Sequence, residues 1–583
     1  MKLWKTINNE IKLTILCILA ILFIAAIYIP NAKIPGTTVD EFGYLFNAAT
    51  LVGWDWKELM QYHPYYGMGM GILWFPLFWL LYKTPEVLYQ SIVCLNFVFI
   101  IFSFCLSKYC SKKLFPKWKN ELRVLACFAI TFYPSNFFYS QAALSETFLY
   151  FLFWLLVALI IKTLESQRVI WAFLLGIIAS YMVLVHLRTI GIAVCVGCLI
   201  LFLGIKKIIS WKKVLVFMAI CVIGIIIWYS MKQLYFANLG GKNDINTINT
   251  EISILGMIYS MLFNIPTLVK GILGRFFYFF VSGNIFFMFG FGILIRDTYF
   301  YFFRKDIAKK EQTRGIIAVF LLVTFFINLV AFSTQTLHDI TRVDMAVYGR
   351  YLDNMIGPIL LFGIYFVTTK KNWKKNISVY ILFVILLLPI VLYRMEEAET
   401  STFAIDSAVA FGAFFKYDTS QYSIYLSLLK LVLIVILFAL AIYFICRFFS
   451  KYKKLNCRIV SGIYICLLMF YWGYLGYGSI TQYNAERSNI YTAYENIKDV
   501  VEKEECSDLI YIRHTDLYGT KAKYLQFLLS DISIQVVNYE DFLINDIQEN
   551  TLIICNAGDD ISPILGDDYH KVWDETLDIY SLN

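Results

Sequence analysis

Long apolar runs recur along almost the whole chain, and they constrain its fold more than any other feature of the sequence. Each extends over roughly 17 to 24 residues, enough for a helix to cross about 30 Å of hydrocarbon. Within a bilayer the backbone polar groups must be satisfied inside the segment, so such runs fold as helices. The composition agrees, because 59% of the 583 residues are hydrophobic and only 16% are charged. The sequence therefore predicts a polytopic α-helical membrane protein with about 13 spans.

The positions of the basic residues predict how these spans are oriented. Lys2, Lys5 and Lys12 precede the first run, residues 14–30, which indicates a cytoplasmic N-terminus and an uncleaved first span. Further cations fall in alternate loops, so the net charge of +8 reflects membrane topology and not nucleic-acid binding. The extracytoplasmic loops predicted in this way are residues 31–85, 133–144, 186–189, 232–270, 333–354 and 394–422.

The first outer loop carries two features of its own. Apolar residues between Phe42 and Val52 recur at three- and four-residue spacing, which predicts a short helix lying along the membrane surface. The apolar segment 67–82 is short for a span and contains Pro76, so we expect it to be interfacial or re-entrant. Both features place this loop against the bilayer.

The last hundred residues differ from the rest in pattern. After a last span at residues 459–477, three short β-branched runs, 508–512, 533–537 and 551–555, alternate with helix-like segments such as 520–529. This pattern predicts a small extracytoplasmic α/β domain at residues 481–583, following a transmembrane catalytic domain at residues 1–480. No GxGxxG or GxxxxGK motif accompanies the strands, so a nucleotide site is unsupported.

Ionisable residues gather in the predicted outer loops, where charges at the edge of a membrane are costly unless they are paired or functional. Several have a simpler explanation. Asp40 could be the N-cap of the surface helix, Glu146 could only favour a helix dipole, and Arg188 could snorkel to headgroups. Histidines in such positions are often structural. The candidates that together suggest one shared site are Asp40, Glu41, His63, Ser145, Glu146, His186, Arg188, Arg275, His338, Asp339, Arg342, Asp344 and Arg350.

Short motifs around these candidates resemble the GT-C superfamily of membrane glycosyltransferases. The similarity is greatest to the branch that contains protein O-mannosyltransferases and the aminoarabinose transferases that act on lipid A. It covers nearly the whole chain in topology. The motifs are Asp40-Glu41 with Tyr44, His63-Pro64-Tyr65-Tyr66, Leu144-Ser145-Glu146-Thr147, Leu187-Arg188-Thr189, and Gly349-Arg350-Tyr351-Leu352 with Pro358.

The resemblance implies an inverting transferase that moves a sugar from a polyprenyl-phosphate donor to an acceptor hydroxyl on the outer face of the membrane. In this family the acidic residue that opens the first outer loop is the base, here Asp40, and Glu41 would support it. The chemistry also needs cations for the departing phosphate. The expected phosphate-binding residues are Arg188, Arg275, Arg350 and Tyr351, and the expected substrate-binding residues are His63, Glu146, His186, His338 and Arg342.

Three matters stay open at this point. A transporter or flippase of a lipid-linked glycan would use the same cations, and a glycan polymerase or ligase would share the chemistry. The acceptor could be a glycan, a lipid or a protein. No cofactor is certain: Glu146 stands alone and the first loop has no DxD, which puts metal dependence in doubt but leaves a divalent metal open.

Overall fold

The apolar runs fold as helices in the structure, which is a computed structural model. It describes residues 8–36, 38–61, 65–81, 83–238, 259, 261–304, 309–334, 340–369, 376–416, 421–451, 457–504, 506, 508–514, 519–530, 532–542, 551–557, 559, 561, 565, 569–574 and 577–582.

The helices are numbered in chain order through these described ranges. They are α1 (Asn9–Tyr28), α2 (Thr38–Val52), α3 (Lys57–Met60), α4 (Gly69–Leu80), α5 (Pro85–Leu114), α6 (Asn120–Thr131), α7 (Pro134–Tyr139), α8 (Glu146–Glu165), α9 (Ile170–Val185), α10 (Ile190–Ile205), α11 (Trp211–Asn238), α12 (Ile265–Ser282), α13 (Asn284–Phe303), α14 (Lys309–Ser333), α15 (Arg350–Thr369), α16 (Ile377–Glu396), α17 (Gln421–Lys451), α18 (Cys457–Lys503) and α19 (Thr520–Leu528).

Twelve helical segments of the described chain are long and apolar enough to cross a membrane. Two shorter apolar helices accompany them. Helix α4, with 12 residues, is the segment predicted to be interfacial, and α9, with 16 residues, is the additional segment that the sequence predicts as a span. The predicted fold class, a polytopic helical bundle with a small C-terminal α/β region, is confirmed.

The outward faces of the bundle are apolar. Leu19 and Phe23 on α1, Ile225 on α11, and Leu429 and Leu433 on α17 are all exposed. Such a large apolar surface is typical of lipid-facing helices, because in water it would drive association. The helices therefore turn their least polar faces outward, as a multi-pass membrane protein does.

Two spans are the most enclosed among the described helices. The span that begins with Glu146 has 78% of its apolar segment buried, and the span that contains Arg350 has 83%. Small residues allow the inner helices to approach closely. A Cβ atom on Gly363 of α15 would collide with the carbonyl oxygen of Phe286 on α13. This close packing fixes α15, and with it the position of Arg350 at its first turn.

The C-terminal region is a five-stranded mixed sheet with the order β2-β1-β3-β5-β4. Strand β1 pairs in parallel with β2 and β3, whereas β5 is antiparallel to β3 and β4. Helix α18 runs without a break from the last span toward this sheet, so residue 480 lies inside a helix and the predicted division there stays a prediction. The strands are β1 (Asp508–Arg513), β2 (Ile534–Asn538), β3 (Thr551–Asn556), β4 (Tyr569–Asp574) and β5 (Leu577–Leu582).

The C-terminal region packs directly on the predicted surface helix α2. The ring of Tyr524 on α19 lies 5.7 Å from that of Phe42, and the ring of Phe527 lies 6.1 Å from that of Tyr89. Nε1 of Trp56 donates a hydrogen bond of 3.4 Å to the carbonyl of Ser530. The helix that carries Asp40 is therefore held between the bundle and the sheet region.

Candidate active site

The guanidinium group of Arg350 lies at the centre of the site. Its Nε donates to Oε1 of Glu146 at 2.5 Å, and its Nη1 donates to Oδ2 of Asp406 at 2.7 Å. The same Nη1 also donates to Oδ2 of Asp40. Three carboxylates from separate parts of the chain thus share one cation, which is 96% buried. A buried charge needs such partners, because leaving water is costly for an unpaired ion.

The fold brings these groups together because several helices end at the same end of the bundle. Glu146 opens α8, Arg350 opens α15, and Arg188 lies in the 3₁₀ turn Leu187–Thr189 between α9 and α10. Helix α2 lies across this end and presents Asp40 from its first turn. Since α2 begins at Thr38, Asp40 is not the N-cap residue, although its charge still favours the helix dipole.

Arg188 extends the cluster. Its Nη2 donates to Oε1 of Glu146 at 3.0 Å and to Oγ of Ser145 at 3.4 Å, and its guanidinium carbon lies 4.9 Å from the centre of the Tyr351 ring. Its Nε is buried and has no hydrogen-bond partner among the residues that the structure describes. Glu146 is therefore more than a residue that favours the helix dipole, and Arg188 retains a donor for another anion. Together, Arg350, Asp40, Glu146, Asp406 and Arg188 are called the Arg350 cluster below.

Aromatic and imidazole groups flank the cluster on the side of Asp40. Tyr66 donates a hydrogen bond of 2.5 Å to Oδ1 of Asp40, and burial raises the pKa of this phenol well above its usual value, which keeps it a donor. Nδ1 of His186 accepts a bond of 3.2 Å from the backbone N–H of Arg188. Burial, together with the nearby Arg188 charge, lowers the pKa of His186, so its imidazole is neutral.

Asp406 was not foreseen from the sequence. It lies in the 3₁₀ turn Ile405–Ser407, where the phenol of Tyr139 binds its backbone carbonyl at 2.6 Å. The predicted residue Arg342 lies beside it and donates to Ser407 at 3.3 Å, while binding both oxygens of Asp344 at 3.0 Å. The one available signal is that Asp406 is the only charged residue in the apolar stretch 403–411.

Glu41 follows Asp40 directly but lies in a different environment. Oε1 accepts hydrogen bonds from the phenol of Tyr89 at 2.5 Å and from the N–H of Ala143 at 2.6 Å. Oε2 accepts from the N–H of Gly36 at 2.7 Å and from the phenol of Tyr483 at 3.0 Å. This set, called the Glu41 cage, fully buries the carboxylate and ties α2 to α5 and α18.

Arg275, another predicted residue, is not part of the cluster. Arg275 is buried and donates to the carbonyls of Phe332 at 2.8 Å and Gly271 at 3.2 Å, with no ion pair to a described carboxylate. The Phe332 ring in turn packs 5.1 Å from that of Tyr351, which places Arg275 behind the cluster. His63 and His338 lie outside the described residues.

A divalent metal needs several oxygen or nitrogen ligands around one point. Within the described ranges, no group of three or more His, Cys, Asp and Glu side chains could hold a metal ion. The carboxylates of the cluster instead surround the Arg350 guanidinium. These residues do not fit a metal, and no step below is assigned to one.

Comparison with solved structures gives the fold: over nearly its whole length the chain has the same fold as ArnT, in agreement with the resemblance seen in the sequence. One similar structure is ArnT from Cupriavidus metallidurans in the apo state, with a TM-score of 0.52 and 10% identity over 97% of each chain. ArnT bound to undecaprenyl phosphate gives a TM-score of 0.51 and 10% identity, over 96% of this chain and 97% of ArnT.

The oligosaccharyltransferase of Archaeoglobus fulgidus in the apo form is more distant, with a TM-score of 0.46, 11% identity and coverage of 95% of this chain and 70% of that one. No protein-family model and no curated protein matches the sequence. At such low identity these likenesses establish the fold, and the activity must be argued from the site.

Proposed function

We propose that the protein is an inverting membrane glycosyltransferase that moves a sugar from a polyprenyl-phosphate donor to an acceptor hydroxyl. The observation that carries this proposal is the Arg350 cluster, in which a carboxylate on a surface helix shares a buried guanidinium group with two other carboxylates. A base beside a phosphate-binding cation is the pair of groups that such a transfer requires. The ArnT structure bound to undecaprenyl phosphate supports a lipid-linked donor.

In the proposed reaction Asp40 is the general base. As the acceptor oxygen attacks the anomeric carbon, its proton passes to the Asp40 carboxylate and a new carbon–oxygen bond forms. The bond from the anomeric carbon to the phosphate oxygen breaks, and the polyprenyl phosphate leaves with that electron pair. Attack opposite to the leaving group inverts the anomeric centre. The hydrogen bond from Tyr66 holds Asp40 in place for this step.

Arg350, Arg188 and Tyr351 are proposed to bind the donor phosphate. The Nε–H of Arg188, which is buried and unused among described residues, offers a donor for a phosphate oxygen, and the Tyr351 ring orients this guanidinium group. Glu146 holds both guanidinium groups. Arg275, which binds two backbone carbonyls, is proposed to support the site from behind the cluster. Arg342, His186, His63 and His338 stay predicted substrate contacts. Glu41 is proposed to position α2.

The orientation of the site is proposed from the basic loops. If the N-terminus is cytoplasmic, α1 crosses outward and α2, the Arg350 cluster and the C-terminal sheet all lie on the outer side. The charged groups then gather at one end of the bundle, which favours an enzyme that works at the outer surface over a transporter with charges near the bilayer midplane. The acceptor could still be a glycan, a lipid or a protein.

The direct test is turnover by the purified full-length protein in lipid nanodiscs with a panel of donors. We expect sugar transfer or slow hydrolysis with polyprenyl-monophosphate sugars and none with soluble nucleotide sugars. Arg188→Gln should abolish most of this turnover. The matched control is Arg304→Gln, since Arg304 is exposed at the end of α13 and contacts no residue of the cluster. Turnover with nucleotide sugars alone would overturn the proposal.

A further inference from the structure

Two carboxylates of the Arg350 cluster meet at a single atom. Oδ2 of Asp40 and Oδ2 of Asp406 both accept a hydrogen bond from Nη1 of Arg350. Two oxygens bound to one nitrogen lie within about 6 Å of each other, a range in which each negative charge disfavours the other. Glu146 binds the separate Nε atom. Asp40 and Asp406 are therefore a pair within the cluster, and Glu146 is not part of it.

The pair is also the accessible side of the cluster. The side chains of Asp40 and Asp406 are 26% and 15% exposed, whereas those of Arg350 and Glu146 are 4% and 3% exposed. A hydroxyl group that approaches from the open side thus meets these two carboxylates first. Asp406 is close enough to influence a proton transfer to Asp40 without being its acceptor.

We propose that Asp406 is a positioning residue that acts through Asp40. Its negative charge helps Asp40, the base, to take the proton from the attacking hydroxyl group. This inference rests on the proposed transferase function. In the transfer step the proton moves from the acceptor hydroxyl to Asp40, and Asp406 neither gains nor loses one. An ionised Asp406 favours that step because protonation of Asp40 removes the repulsion between the two carboxylates.

The surroundings of Asp406 allow its charge to change within the working range of pH. Burial, together with the negative charge of Asp40, raises the pKa of Asp406 to about 6 against the opposing charge of Arg350. The charged and titratable groups that face it are Arg350 on α15, Asp40 on α2, Arg342 and Asp344 on the preceding loop, and Tyr139 on α7.

The sign of the pH effect follows from this arrangement. Below pH 6 Asp406 carries a proton, so Asp40 loses its charged neighbour and is a weaker base. Above pH 6 Asp406 is ionised, so kcat rises with pH through about 6. The same ionisation adds negative charge beside Arg350, so the KM for the donor rises over the same interval. A merely structural Asp406 would move neither quantity in this way.

The test is the pH dependence of kcat and donor KM for Asp406→Asn. We expect the rise near pH 6 to disappear and the plateau of kcat to fall by about 3- to 10-fold, because an amide cannot ionise. Asp406→Glu should restore the rise. The control is Glu399→Gln, which removes an exposed carboxylate from the same loop and should keep the wild-type profile.

Infrared spectroscopy supplies a second measurement that does not depend on turnover. The protonated-carboxyl absorption of the wild type at pH 5 should contain a component that titrates away near pH 6, and this component should be missing in Asp406→Asn. An active wild type whose profile and band are unchanged by Asp406→Asn overturns this inference and leaves the transferase function standing. A wild type without turnover on any polyprenyl-phosphate sugar overturns both.

Discussion

The Arg350 cluster and the Glu41 cage begin at adjacent residues of one helix, yet they differ in almost every physical respect. Asp40 is partly exposed and shares a cation with two other carboxylates. Glu41 is fully buried and, among the described residues, accepts hydrogen bonds from two phenols and two backbone N–H groups. An accessible carboxylate with few hydrogen bonds can take a proton. A buried carboxylate whose oxygens all accept hydrogen bonds is held in its charged form and stabilises the fold. The comparison assigns chemistry to Asp40 and positioning to Glu41.

The largest effect is expected when the cluster loses its cation. Arg350→Gln removes the one cation that binds Glu146, Asp40 and Asp406 together, and leaves the buried Glu146 with Arg188 alone as its ion-pair partner among the described residues. Removing one partner of a buried ion pair costs about 3–5 kcal/mol, so we expect a marked fall in unfolding temperature and loss of transfer. Thermal unfolding in nanodiscs measures the first and turnover the second. Wild-type stability together with wild-type turnover would refute the central role of Arg350.

A smaller effect is expected in the cage. Glu41→Gln replaces one oxygen by an NH2 group that faces two donors, which costs about 1–3 kcal/mol of stability. Tyr483→Phe removes a single donor and should cost less, about 0.5–1.5 kcal/mol. Since the cage only positions α2, the residual activity of Glu41→Gln should keep the wild-type pH profile. A lost or displaced profile would instead give Glu41 a chemical role.

Arg188 and Arg275 are both predicted from the sequence to bind the donor phosphate, but their substitutions should change the KM for the donor by different amounts. Arg188→Gln removes a guanidinium group next to Glu146 and Tyr351, and we expect the donor KM to rise about 10- to 100-fold. Arg275→Gln removes bonds to two backbone carbonyls and should change that KM by less than about 3-fold while lowering stability. Equal effects on KM would place Arg275 in the phosphate site.

The smallest effect is expected at Tyr66. Tyr66→Phe removes one hydrogen bond to Asp40 and leaves the ring that packs 5.2 Å from Tyr44. A loss of about 1 kcal/mol corresponds to a fall in kcat of about 5-fold, with little change in stability. Rapid-quench measurements of the transfer step would show it. An unchanged rate would mean that this bond does not hold the base in its reactive position.

Much of the fold follows from local pattern. The apolar runs, the surface helix at Asp40 and the three parallel strands of the C-terminal sheet are visible in the sequence because hydrophobic period and length determine them. Strands β4 and β5 were not foreseen. Their sequences, YHKVWD and LDIYSL, mix charged and apolar residues, so they lack the clear β-branched character of the other three.

The site was only partly predictable for a different reason. Arg188, Arg350 and Asp40 could be proposed because each lies in a predicted outer loop and belongs to a motif. Asp406 could not, since it belongs to no motif, its one local signal is that it is the only charge in the apolar stretch 403–411, and its partner Arg350 lies 56 residues away in the chain. The cage depends on the same kind of contact, with Tyr483 joined to Glu41 across 442 residues. Such assignments follow from tertiary packing alone.

The role of Asp40 as the general base is the central claim about this site. The decisive measurement is the single-turnover rate of sugar transfer by Asp40→Asn, with saturating polyprenyl-phosphate sugar and with folding checked by thermal unfolding. We predict a rate about 10³-fold below that of the wild type in a folded protein whose donor affinity is retained. A folded Asp40→Asn protein that transfers sugar at the wild-type rate would contradict the account.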